Sequence, residues 1–146
     1  MTIDLSTLTF TSGADSVPGS GEDDIVNTGI ANTLDGNDTI TGYFFSPWKA
    51  YGIYNTGTLN TAEGHDEITG TGVSPFGDGI YNTGIFDTAE GNDTISAVGT
   101  AGIYNTGTFD TAEGNDTISA VGQNSKAGIY NTGTFDTAEG NDTISE

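Results

Sequence analysis

One block of 18 residues, present five times without a gap, constrains this chain more than any other feature. GIYNTGIFDTAEGNDTIS fills 79–96, and GIYNTGTFDTAEGNDTIS fills both 102–119 and 128–145. GIYNTGTLNTAEGHDEIT at 52–69 and DIVNTGIANTLDGNDTIT at 24–41 are diverged copies of equal length. The spacers between blocks vary instead, at 10, 9, 5 and 8 residues. A constant block with inconstant spacers describes stacked rungs of one shape, with a loop leaving each rung at one corner. Thr, Ile, Tyr and Phe favour strands, while Asn-Thr-Gly and Glu-Gly-Asn-Asp interrupt any helical period. The expectation is an all-β chain, a right-handed parallel β-solenoid of the β-roll or β-helix kind with about five to six rungs and variable corner loops. GIYN and DTIS supply strands. A single domain spans 1–146, with an N-terminal strand and partial rungs over 1–23 and the blocks over 24–145.

Aligning the blocks turns residues into columns. Three are apolar: Ile25, Ile53, Ile80, Ile103, Ile129; Ala31, Leu59, Phe86, Phe109, Phe135; and Ile40, Ile68, Ile95, Ile118, Ile144. They form the expected core. An asparagine column, Asn27, Asn55, Asn82, Asn105, Asn131, fits either an amide ladder or a row of left-handed turn residues.

Three more columns are acidic: Asn32, Asn60, Asp87, Asp110, Asp136; Asp35, Glu63, Glu90, Glu113, Glu139; and Asp38, Asp66, Asp93, Asp116, Asp142. They hold 13 of the 21 carboxylates. Two carboxylates at rung spacing repel by roughly 0.9 kcal/mol in water and about 3.5 kcal/mol at an effective dielectric of 20. Nothing basic recurs with the block, for the chain has two lysines, no arginine and a formal charge of −19. Leu, Ile, Val and Phe make up only 29 of 146 residues, which with that charge is the composition of a disordered chain. Either the carboxylates protonate or a cation sits between the rungs, and a cation resolves both difficulties. Oxygen ligands without a His or Cys column select Ca²⁺, and Mg²⁺ suits less because its octahedral shell takes few protein ligands. The column containing Asp110 carries less weight than that of Asp116, since Asn replaces Asp in two of its blocks. The competing view of every acidic column is a solvated face that keeps the protein soluble.

At these residues the chain resembles the RTX, or haemolysin-type, calcium-binding repeats, whose nonapeptide is GGxGxDxUx with U a large apolar residue. TAEGNDTIS around Asp116 matches the Gly, Asp and Ile positions; PGSGEDDIV at 18–26 places Gly19, Gly21, Asp23 and Ile25; Gly13-Ala14-Asp15-Ser16-Val17 matches in part. The resemblance implies several Ca²⁺ ions held between successive rungs, and with the columns it nominates Asp15, Asp23, Asp35, Asp38, Glu63, Asp66, Glu90, Asp93, Glu113, Asp116, Glu139 and Asp142 as ligands. Thr-Ala replaces the family's first two glycines, GIYNTGTFD lacks the nonapeptide pattern, and the spacers enlarge each rung, leaving room for a third strand. It further implies a secreted, bacterial, extracellular protein without a cleaved N-terminal signal, folding when it meets millimolar calcium. MTIDLSTLTF has no basic, long-apolar leader character, and no separate export segment follows the last block, so the sequence reads as a fragment or as a chain exported otherwise.

The expected role is structural or adhesive, a calcium-stiffened rod whose ends self-associate head to tail. The alternative is a binding module presenting carbohydrate, protein or ice ligands, on the corner loops around Tyr43-Phe44-Phe45-Ser46-Pro47-Trp48 or on the threonine column Thr56, Thr83, Thr106, Thr132. Acidity argues against nucleic acid, and no apolar run is long enough for membrane insertion. Catalysis is not expected: the one histidine, His65, stands at an asparagine position, and the carboxylates repeat rather than forming one tuned pair.

Overall fold

A computed structural model of the protein describes residues 2–19, 22, 23 and 25–146, and of Glu22 and Asp23 the backbone alone. An opening turn carries β1 (Ile3–Asp4), a 3-10 turn at Leu5–Thr7, β2 (Ser16–Pro18) and β3 (Glu22–Asp23). The first block gives β4 (Ile25–Asn27), β5 (Ile30–Asn32) and β6 (Thr39–Phe45), and the second gives β7 (Ile53–Asn55), β8 (Thr58–Asn60) and β9 (Glu67–Val73). Next come β10 (Ile80–Asn82), β11 (Ile85–Asp87) and β12 (Thr94–Gly99), then β13 (Ile103–Asn105), β14 (Thr108–Asp110) and β15 (Thr117–Gly122). The last rung is β16 (Ile129–Asn131), β17 (Thr134–Asp136) and β18 (Thr143–Ser145).

Each block position pairs with itself one rung on, so Ile80 lies beside Ile103, Phe86 beside Phe109 and Ile95 beside Ile118, all in parallel. The coil therefore has three parallel sheets: a first of β1-β4-β7-β10-β13-β16, a second of β5-β8-β11-β14-β17 and a third of β2-β6-β9-β12-β15-β18. The chain is the expected β-solenoid. All three strands of a rung belong to the block itself; the spacers do not add the third strand, but lengthen the third-sheet strand and form the corner after it. The short Thr-Phe-Asp stretch is the second-sheet strand, closed on both sides by Asn-Thr-Gly before it and Thr-Ala-Glu-Gly after.

Strand alternation assigns the sides. In Ile-Tyr-Asn the first and third residues point inward, in Thr-Phe-Asp and Thr-Ile-Ser only the middle one does, and Ile53, Phe86, Ile95, Ile103, Phe109 and Ile118 are fully buried. Each such side chain contributes roughly 1.5–3 kcal/mol of gross burial energy. Phenylalanines stack along the interior, Phe86 on Phe109 at 4.6 Å and Phe109 on Phe135 at 4.9 Å. The asparagine column is an amide ladder: Nδ2 of Asn27, Asn55, Asn82 and Asn105 each donates to Oδ1 of the next member, at 2.7–2.8 Å. The left-handed alternative is excluded, since none of these residues has positive φ. At the opening turn, β1 lies beside β4 and Val17 beside Ile40, so this segment pairs with its own coil.

Candidate functional site

The corner between the second and third sheets is the segment Thr-Ala-Glu-Gly-Asn-Asp (Thr-Leu-Asp-Gly-Asn-Asp in the first block), which holds two of the acidic columns, while the third, that of Asp110, is the strand residue just before it. The chain enters by an Asx turn: Oδ1 of Asn60, Asp87 and Asp110 accepts N–H from Ala62, Ala89 and Ala112 at 2.6–2.9 Å. Those alanines sit at φ 52–57°, a left-handed conformation that the side-chain bond holds in place. Only an Oδ1 is needed here, which explains why the first two blocks can carry Asn and the last three Asp. This column is turn-forming.

Next the rungs crowd. A Cβ on Gly91 would run into the Gly64 carbonyl and one on Gly114 into the Gly91 carbonyl, so only glycine passes. Through Gly-Asn-Asp-Thr the backbone N–H groups then point alternately to the following and the preceding rung. Gly64 N donates forward to Glu90 O (3.0 Å) and His65 N backward to Asn37 Oδ1 (3.0 Å). Asp66 N donates forward to Asp93 Oδ1 (2.8 Å) and Glu67 N backward to Asp38 O (2.8 Å). The pattern is that of a strand, with side-chain acceptors replacing main-chain carbonyls at the two middle positions. His65 takes its asparagine's place because Nδ1 stands where Oδ1 would, accepting from Asn92 N at 2.8 Å.

The aspartates form one continuous ladder. Asp15, Asp38, Asp66, Asp93 and Asp116 each donate backbone N–H to Oδ1 of the next aspartate, ending at Asp142, at 2.8–3.0 Å. Asp15, found in sequence through a partial motif, thus stands one rung before Asp38. The opposite oxygens have nothing: Oδ2 of Asp38, Asp66, Asp93 and Asp116 is buried without a hydrogen-bond partner. Beside them runs a buried threonine column, Thr33, Thr61, Thr88 and Thr111, in which Thr88 Oγ1 and Thr111 Oγ1 also lack partners. Burial raises the carboxyls of Asp66 and Asp93, the latter to about 6, against the opposing pull of the Thr61 hydroxyl and the Asp38 amide on Asp66 and of the Asp66 amide and the Thr88 hydroxyl on Asp93.

Three residues earlier in each block, the second column faces solvent. Asp35, Glu63, Glu90, Glu113 and Glu139 line an open groove of about 850 Å³ with glycines between them and Asn37, His65, Asn92 and Asn115 along it. No lysine lines it. Asp23 is the one nominated ligand elsewhere: its backbone pairs with Tyr43 on the third sheet, and its side chain lies outside the described residues.

Comparison with protein-family models, curated proteins and solved structures finds no match to this chain. The site is therefore judged on its own chemistry. Among the described residues, no three acidic or imidazole groups converge on one point; the acidic groups run in lines, so an ion would lie between successive members of a line. The donor set is oxygen throughout, with four orphaned buried Oδ2 atoms, and it fits a hard cation.

The tyrosine column is what column counting passed over. Tyr54, Tyr81, Tyr104 and Tyr130 stack on the outer face of the first sheet at 4.9–5.3 Å, and Lys49 Nζ lies 4.9 Å from the Tyr51 ring centroid. Their fixed place in the block was the available signal.

Proposed function

We propose that this protein is a calcium-binding structural repeat, an extracellular rod stiffened by ions along its acidic corner, in line with the RTX-like motif. One observation carries the reading. Asparagine would supply every Oδ1 that the ladder uses, yet all five blocks place aspartate there, and in four of them, at Asp38, Asp66, Asp93 and Asp116, the second oxygen is buried and unpartnered. An unmatched buried carboxylate is costly, and a shared cation or a proton is what offsets it. The exposed column would take ions first, through Asp35, Glu63, Glu90, Glu113 and Glu139, and Oδ2 of Asp38, Asp66, Asp93 and Asp116 would supply the inner ligands. Calcium bound there supplies positive charge and a large, flexible oxygen shell.

The test is thermal unfolding followed by circular dichroism, first in chelator and then in millimolar Ca²⁺ or Mg²⁺. Calcium should raise Tm well beyond magnesium, and Glu90→Gln with Glu113→Gln should reduce that rise. Equal melting in chelator and in calcium sinks the reading. Self-association of copies through their end rungs belongs to the same proposal, and a monodisperse monomer by light scattering in calcium removes it.

A further inference from the structure

The spacers all lie at the corner after the third sheet, and they differ in length. The third, at five residues, is the shortest and follows spacers of 10 and 9 residues. A notch of about 570 Å³ opens at this corner, with Phe45, Pro47 and Pro75 on one wall and Gln123 and Asn124 on the other. Its size is that of a small-ligand site.

Two successive rungs build the first wall in the same way. Ser46-Pro47-Trp48 and Ser74-Pro75-Phe76 sit at one offset from their strands, as the pairing of Phe45 with Val73 fixes. In each, the serine Oγ accepts the backbone N–H of the aromatic residue, Trp48 at 3.2 Å and Phe76 at 3.1 Å. Proline fixes φ between them, so each ring is offered from a rigid turn. Thr100 Oγ1 buttresses the second turn by donating to Ser74 O at 3.3 Å. Trp48 is 80% exposed, Phe76 69% and Phe45 61%. The opposite wall is anchored by Gln123 N on Gly99 O at 2.7 Å and shaped by left-handed Asn124 and Ser125.

The chemistry is selective. In the notch Phe45 and the two prolines stand beside hydroxyl and carboxamide groups, the same two turns carry the exposed rings of Trp48 and Phe76 outside its lining, and among the described residues no carboxylate or lysine lines it. A net charge of −19 repels anionic ligands over the whole surface. A neutral, hydroxyl-rich ligand with apolar C–H faces matches both walls. We propose that this corner is a binding site for a neutral glycan, with Trp48, Phe76 and Phe45 stacking on sugar rings and Ser46, Ser74, Gln123 and Asn124 meeting hydroxyls. The site goes beyond the calcium reading and does not use the acidic corner.

Trp48 is the only tryptophan, so its fluorescence reports on this corner alone. The full chain, in calcium-containing buffer, would be titrated with laminarin, chitohexaose, mannan and galactan, and with alginate as the anionic control. The expected result is a saturable blue shift with at least one neutral glycan and none with alginate. Phe76→Ala keeps the reporter and should weaken binding at least tenfold, with an unchanged circular dichroism spectrum; Trp48→Ala, followed by calorimetry, should do the same. Absence of a shift with all four neutral glycans overturns the proposal. So does binding that survives Phe76→Ala, equal binding of alginate, or a response to an apolar peptide with none to glycan.

Discussion

Asparagine offers the same Oδ1 as aspartate, so Asp93→Asn keeps the 2.8 Å bond from Asp66 N–H while removing a buried charge. Asp93→Ala removes the acceptor and strands that amide, which costs about 1–3 kcal/mol. The two substitutions should therefore move stability in opposite directions in metal-free buffer at neutral pH. The pH profile separates them further. Burial raises the Asp93 carboxyl from 3.8 to about 6, so the folded protein holds this proton over a range where the unfolded chain has lost it. The stability this confers is fully present below pH 3.8 and is lost as pH rises through about 6, an effect on the order of 3 kcal/mol. Urea unfolding in chelator should show the wild type stabilised on acidification from about pH 8 to about pH 4, and Asp93→Asn should show a shallower rise. A profile in Asp93→Asn as steep as the wild type's would mean that other carboxylates carry the dependence.

At the scale of a column, position along the coil sets the value of each member. Asn82 is buried, accepts from Asn55 Nδ2 and donates to both Asn105 Oδ1 (2.8 Å) and Thr108 O (2.7 Å). Asn131, in the last rung, is exposed and bonds onward only within its own turn, to Gly133. Asn82→Ala should cost about 1–3 kcal/mol for each group it strands, several times the cost of Asn131→Ala in the same denaturant assay. Columns are also where the sequence was most informative. A fixed block places Ile53 beside Ile80 and Phe86 beside Phe109 whatever the spacer does, so core and register could be read directly, while for the asparagine column an amide ladder and a row of left-handed turn residues fitted the sequence equally. The sides of the acidic corner could not be read. Glu90 and Asp93 stand three residues apart in each block, and only the turn decides that one faces solvent while the other is sealed inside. The alternation of N–H groups through Gly-Asn-Asp-Thr was equally hidden, because it depends on side chains standing in for carbonyls. Of the Ser-Pro-aromatic pair the first member, Ser46-Pro47-Trp48, was legible as a candidate loop, but its repetition at Ser74-Pro75-Phe76 was not, because both lie in the spacers, where alignment of the blocks ends.

A coil of identical rungs has a stability that is close to a sum over rungs and their interfaces, so its length is a variable that can be set. Duplicating residues 97–119 after Ser119 adds the shortest spacer with one complete block and preserves every register. Such a rung adds another buried Ile103, Phe109 and Ile118 to the core, roughly 1.5–3 kcal/mol of gross burial each, offset in part by the entropy of ordering the inserted chain. It also adds Asp110, Glu113 and Asp116 to columns already carrying like charges at rung spacing. Monovalent salt at physiological strength screens over about 8 Å, farther than the roughly 4.8 Å between rungs, so it relieves neighbouring repulsion poorly. The gain from an added rung should then depend on the divalent ion: a clear rise in Tm in millimolar Ca²⁺, and a small rise or a fall in chelator with sodium chloride. By contrast, one residue inserted between Glu113 and Gly114 puts the glycine, asparagine and aspartate of that rung out of step with both neighbours, and should lower Tm under either condition. An added rung that stabilises equally with and without calcium would show that the carboxylate columns tolerate one another unaided, and the ion-sharing account would fail at its foundation.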